Sequence, residues 1–172
     1  MFVGLSFSEI KNIIENFNGV KRRFEKKGLL GDILVVDDYA HHPTEIKEAL
    51  KAAKNTGYER LITVFQPHRF SRTKHLMQEF SKSFELVDEL IVTDIYSAGE
   101  RKLPGVNSKK LVSLIKANTE VNVNYIDDFE EIISHLKQIL KPKDLLLTVG
   151  AGDVYKIGKN LLTEMREEMV RR

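Results

Sequence analysis

The sequence predicts an α/β three-layer domain, a mostly parallel sheet with helices on both faces, and three observations carry that expectation. Runs such as ILVV at 33–36, LITVF at 61–65, LIV at 90–92 and LLLTV at 145–149 are apolar nearly throughout instead of at alternate positions, which marks strands buried on both faces. Between them lie stretches whose apolar residues recur every three or four positions, the repeat of a helix with one covered face. The 172 residues suffice for one core and contain no repeat, low-complexity segment or Pro/Gly/Ser-rich linker that would divide it. Each crossover helix must then fold back onto the sheet it left.

The elements follow in order. Residues 6–17 place Phe7, Ile10, Ile13, Ile14 and Phe17 on one face of a short helix, and Asn-Gly-Val at 18–20 ends it. Two extended runs then surround a glycine-containing turn, so residues 22–25 are expected to pair antiparallel with residues 33–36. Pro43 suits the first position of a helix, where a missing N–H costs nothing; Ile46, Ala49, Leu50 and Ala53 line its face and Gly57 closes it. After the strand at 61–65, Leu76, Met77, Phe80 and Phe84 form the stripe of a second helix, followed by a strand ending at Asp94. A helix near 111–115 precedes VNVNYI; Phe129, Ile132, Ile133, Leu136, Ile139 and Leu140 make the clearest helical face; DLLLTVG and an amphipathic helix from about Val154 complete the chain.

Composition narrows the function classes. Hydrophobic residues at 42% and charged residues at 30% describe a globular protein. A formal charge of +2, with basic and acidic residues interleaved, gives no footprint for nucleic acid. Cysteine is absent, which removes disulfides and thiolate metal sites. The opening residues lack a signal-peptide pattern and no run reaches membrane-spanning length, so the expectation is a cytoplasmic chain without a membrane partner.

In a parallel sheet, ligands bind outside the carboxyl ends of the strands. DDYAHHP, QPHRFSR, DIYSAGE and GAGD each follow a predicted strand, which places all four polar segments on that edge. Asp37, Asp38, Tyr39, His41 and His42 admit three readings: a turn that caps the helix at Pro43, a metal site, or acid/base and anion-binding work. The spacing matches no common metal motif, and adjacent histidines in extended chain point to opposite sides. Gln66, His68, Arg69 and Arg72 stand before a helix start, where the helix dipole repels cations, so an incoming anion is expected there. Gly152 and Gly158 enclose five residues and Asn160 follows, so this is not a phosphate loop; Gly150 and Gly152 are expected to form a tight strand-to-helix turn. Tyr96, Ser97, Glu100 and the loop through Gly105 read as an ordinary polar connection.

Taken in order, GVKRRFE, VVDDYAHHPTEI, FQPHRFSRT, DIYSAGE and TVGAGD resemble the C-terminal domain of the Mur ligases, ATP-dependent amide-forming enzymes of bacterial cell-wall (peptidoglycan) synthesis, over almost the whole chain. HRFSRT is similar to the member that joins L-alanine to UDP-N-acetylmuramate, whereas DDYAHHP is shared with related murein peptide ligases. The resemblance implies a Rossmann-like, mostly parallel six-stranded sheet with one antiparallel strand, supplied by the hairpin at 22–36. It implies that residues 1–172 are a single domain equivalent to the third domain of such an enzyme, without the UDP-sugar-binding and central ATPase domains, and that this chain alone does not catalyse. ATP and Mg2+ would serve the full enzyme and be held tightly by neither this chain nor any metal site within it. L-alanine, ATP, UDP-N-acetylmuramate and the central domain would be its partners. By motif position, Arg23 and Asp38 would face the nucleotide. Tyr39, His41, His68, Arg69 and Arg72 would surround L-alanine, with His41 the catalytic group that orients or deprotonates the amine. If the resemblance is set aside, a stand-alone α/β module for a small anion is the reading that remains.

Overall fold

A computed structural model describes residues 4–15 and 20–171. In chain order the elements are α1 (Phe7–Glu15), β1 (Glu25–Leu30), β2 (Ile33–Asp38), α2 (Pro43–Lys54), β3 (Arg60–Phe65), α3 (Phe70–His75), α4 (Met77–Phe80), β4 (Glu89–Val92), α5 (Ser108–Asn118), β5 (Asn122–Tyr125), α6 (Phe129–Ile139), β6 (Asp144–Val149) and α7 (Tyr155–Val170). The sheet has six strands in the order β1-β2-β6-β3-β4-β5. β1 runs antiparallel to β2 and all other pairs are parallel.

The strand period separates two cores. Leu34, Val36, Phe65, Leu145 and Leu147 face the layer that holds α2, α4 and α5, where Ile46, Leu50, Phe80, Leu111 and Ile115 are buried. Val35, Ile62, Val64, Ile91 and Leu146 face the layer of α6 and α7, where Ile132, Leu136, Ile157 and Leu161 are buried. Three layers result, because strands apolar on both sides need covering on both sides.

The hairpin starts later than expected. Residues 22–24 do not join the strand; β1 begins at Glu25, and its partner Asp37 lies near the end of β2. Arg22 and Phe24 have φ of 58° and 45°, in the left-handed region. The bend is held by the Glu25 carboxylate, which accepts from Arg22 N at 2.8 Å, and by Asp38 Oδ2, which accepts from Phe24 N at 2.8 Å. Residues 22–24 thereby fold over the exit of β2.

The expected second helix is also divided. Leu76, with φ −107° and ψ 17°, separates α3 from α4. Phe84 lies beyond α4, yet its ring sits 5.1 Å from that of Phe65 in the core. Ser81 and Ser83 hydroxyls donate back to the Gln78 and Glu79 carbonyls, ending the helix while keeping the apolar spacing in register. Likewise β4 stops at Val92, short of Asp94.

α1 is helical as the spacing predicts, but its apolar face is uncovered: Phe7 is 82% exposed and Ile14 68%. Phe17, Asn18 and Gly19, expected to finish that helix and its turn, lie outside the described residues. Among the described residues no helix is long and apolar enough to cross a membrane.

The register positions the functional edge. Asp38 is level with Val149, Val149 with Phe65, and Phe65 with Val92, so four strands end together and release their loops at one height.

Candidate functional site

At the exit of β2 both aspartates are hydrogen-bonded within the protein. Asp37 is fully buried; its Oδ2 accepts from Arg22 Nε at 2.9 Å and its Oδ1 from the Thr148 hydroxyl at 2.7 Å. Arg22 also donates to the Gly152 and Gly150 carbonyls at 3.0 and 2.5 Å, and its guanidinium lies 5.0 Å from the Tyr39 ring centre and 4.8 Å from that of Tyr155. Asp38 accepts from the backbone N–H of Phe24 and of Ala40, one bond to each oxygen. Neither carboxylate is left as a free reactive group. Arg23, by contrast, is exposed and has no ion pair among the described residues; its guanidinium lies 5.7 Å from the Tyr39 ring centre. Arg23 and Asp38 share the wall of a shallow cavity of about 470 Å³ with Phe24, Thr44, Glu45 and Glu48.

The two histidines diverge as extended chain requires. His42 is the N-cap of α2, its Nδ1 accepting from Thr44 N at 3.3 Å, while Glu45 Oε2 accepts from the N–H groups of His41 and His42 at 3.0 and 3.3 Å. This is a capping box, so the helix-capping reading holds for His42. His41 turns the other way. Its Nδ1 lies 3.0 Å from the Tyr39 carbonyl, which only accepts, and 3.6 Å from Glu45 Oε2, so Nδ1 carries a proton and Nε2 keeps its lone pair when the ring is neutral.

Three of the four loops, those after β2, β3 and β4, bring their side chains into one row of rings. Tyr39 and His41 are edge-on at 5.3 Å, His41 and His68 are 5.9 Å apart, and His68 stacks on Tyr96 at 5.5 Å with 13° between planes. Arg72 Nη1 donates to His68 Nδ1 at 3.1 Å, so the His68 proton resides on Nε2. Burial, then the charges of Arg72, His41 and Arg69, push the His68 pKa down to about 4, and the ring is neutral at pH 7. The site therefore presents one imidazole able to accept a proton and a second able to donate a hydrogen bond, with a guanidinium beside the second.

The expectation at Arg69 is corrected in part. The negative group at the start of α3 is already present: Glu100 accepts from Ser71 N at 2.9 Å and from its hydroxyl at 2.6 Å, and lies 3.9 Å from Arg69 Nη1. Arg69, with φ 71°, precedes α3, and its side chain is 50% exposed. The loop from Tyr96 to Glu100, read as an ordinary connection, thus belongs to the site. Its signal was available: an aromatic and an acid leaving a strand level with the two histidine-bearing exits. Gly152 is not mainly a turn residue either. A side chain there would collide with Gln66 Oε1 and approach Tyr96 Cγ at 2.7 Å. Gln66 ties β3 to this loop, donating to Asp153 Oδ1 at 2.9 Å and accepting from Val154 N at 3.1 Å.

A hollow of about 520 Å³ lies at the opposite edge beside Glu85, Asp88 and Asn118, remote from all of these groups.

The fold is a Rossmann-like α/β domain that gathers histidines, arginines and glycines at its strand exits, and comparison with known proteins specifies it. Residues 22–152 match the family model described as Mur ligase, glutamate ligase domain. The chain belongs to the Mur ligase family. It is 49% identical over 162 residues to UDP-N-acetylmuramate--L-alanine ligase of Acetivibrio thermocellus, covering 94% of this chain and 34% of that protein. It is 44% identical over 169 residues to the enzyme of the same name from Geotalea uraniireducens, covering 98% of this chain and 37% of that protein. The crystal structure of UDP-N-acetylmuramate-alanine ligase from Thermotoga maritima superposes with a TM-score of 0.76 at 26% identity, over 96% of this chain and 34% of that one. The chain thus spans about a third of the length of the relatives it matches.

Proposed function

We propose that this chain is the amino-acid-presenting and nucleotide-closing domain of the ligase that joins L-alanine to UDP-N-acetylmuramate. The observation that carries the reading is the convergence of His41, His68 and Arg72 at one mouth, with Arg72 hydrogen-bonded to His68 and His41 beside it. In that reaction the muramyl carboxylate takes the terminal phosphoryl group of ATP. The alanine amine then attacks the acyl phosphate, the C–N bond forms, and phosphate departs. Arg72, with Arg69 at the rim and His68 Nε2–H beside it, matches the alanine carboxylate. The ammonium must lose a proton before or during attack, and the His41 Nε2 lone pair is the acceptor on this face. Tyr39 sets the edge of that imidazole.

ATP is read as a substrate shared with the central domain, and the exposed guanidinium of Arg23 fits an approaching phosphate. Asp38 acts from behind, shaping the wall through Phe24 and Ala40. Mg2+ would arrive with the phosphates; no group of three potential ligands is assembled among the described residues. A domain with part of each substrate site lacks the preorganisation that closure provides, so the 172-residue chain alone is read as inactive.

The test is His41→Gln in the full-length enzyme. Amide formation should fall on the order of 10²–10⁴-fold, while acyl phosphate, trapped with hydroxylamine in the absence of alanine, still forms. Equal loss of both steps, or of neither, contradicts the role. Competition between L-alanine and other amino acids in the same assay decides the nucleophile.

A further inference from the structure

One contact in the row of rings has no place in the reading above. Tyr96 reacts with nothing, yet it covers His68 with its flat face at 5.5 Å and 13°. The contact is built from the backbone upward: His68 and Tyr96 form a parallel bridge, Tyr96 N donates to the Pro67 carbonyl at 2.9 Å, and Arg69 N donates to the Tyr96 carbonyl at 2.8 Å. The sheet pairing of β3 and β4 is thereby continued past the strand ends to the site. Behind the ring stands Gly152, where a Cβ would come within 2.9 Å of Tyr96 Cβ and 2.7 Å of Cγ. The glycine is what allows the ring to lie there.

We propose that Tyr96 is a positioning residue for His68, holding its imidazole in one plane so that the Nε2–H fixed by Arg72 is aimed into the mouth. A single hydrogen bond to Nδ1 leaves the ring free to swing about that bond. A stacked face removes the swing and excludes water from one side. The groups that face His68 are Arg72 and Arg69 from the start of α3, His41 from the β2–α2 segment, and Glu100 from the β4–α5 loop. Three are cationic or become so, and one is acidic. Uncovering the ring would let solvent screen those cations and hydrate an imidazolium, which is why the hold of Tyr96 on the ring is legible in its titration. The proposal rests on the ligase reading only for what the aimed Nε2–H meets.

The experiment follows the His68 ring nitrogens by long-range 1H–15N NMR across pH in the 172-residue chain. In the unaltered chain and in Tyr96→Phe, which keeps the flat face, His68 should show the Nε2–H tautomer and a low midpoint. In Tyr96→Leu, which keeps volume without a flat face, and in Tyr96→Ala, the midpoint should rise by about one unit or more toward the ordinary histidine value and the tautomer should become mixed. A Tyr96→Leu chain with unchanged midpoint and tautomer overturns the proposal, even where Tyr96→Ala fails to fold. In the full-length enzyme, Tyr96→Leu should raise the KM for the amino acid several-fold, leave that for ATP unchanged, and be rescued by Phe. A shifted titration with an unmoved amino-acid KM would contradict the placing of His68 on the amino acid while upholding the hold of Tyr96 on its ring.

Discussion

Arg72 donates from Nη1 to His68 Nδ1 at 3.1 Å, and this one bond decides which nitrogen of the imidazole keeps its proton. A guanidinium has no lone pair to offer, so the partner nitrogen must accept. Burial of the ring first, and then the fixed cation beside it, disfavours the imidazolium and keeps His68 neutral.

That neutrality has a consequence for stability. The folded His68 titrates at about 4, against roughly 6.5 for a histidine in an unfolded chain. Between those values the unfolded state binds more protons, so stability rises with pH. The contribution is fully present above about 6.5 and is lost as pH falls toward 4. Urea midpoints measured across this window should decline on acidification, and His68→Gln should flatten the decline. An equal slope in the variant contradicts the assignment.

Arg22 and Asp37 make a partly buried ion pair beneath the site, with Asp37 wholly inaccessible and Arg22, 21% exposed, held by two glycine carbonyls. Removing one partner strands the other charge. Arg22→Ala should cost about 3–5 kcal/mol, the range for breaking a buried pair, measured by urea unfolding. A loss below about 1 kcal/mol, typical of an exposed pair, contradicts a supporting role.

Glu100 joins the site through Ser71 and Arg69. The Ser71 hydroxyl and N–H hold its carboxyl below the usual range, so it is ionised at neutral pH. Glu100→Gln should speed hydrogen exchange at the Ser71 amide and leave the amides of β3 protected. Unchanged protection at Ser71 would mean that the cap is supplied by another group.

The fold was legible because burial on both sheet faces leaves runs such as Leu34–Val36 and Leu145–Leu147 apolar at every position. The edge carrying the site followed from topology alone. Less legible were positions where a polar side chain redirects the backbone. Asp38 pulls Phe24 N inward and delays β1, and Ser81 and Ser83 end α4 before Phe84, with no trace in apolar spacing. Charge clusters also hid their own partners. Asp37 and Asp38 left capping, metal and acid/base readings open, and only the structure shows that Arg22, Thr148 and two backbone amides bond to them; the anion expected at Arg69 and Arg72 was in part Glu100, some 30 residues away in sequence. Tyr96 read as part of an ordinary connection, because its contact with His68 follows only from the register that pairs the two positions.

The most direct test is the alanine dependence of the full-length enzyme carrying Arg72→Ala, with ATP and UDP-N-acetylmuramate saturating. Loss of a charge-assisted hydrogen bond, about 1.5–3 kcal/mol, should raise the alanine requirement about 10- to 150-fold and leave the ATP requirement unchanged. An alanine dependence equal to that of the unaltered enzyme would contradict the placement of the amino acid at this mouth.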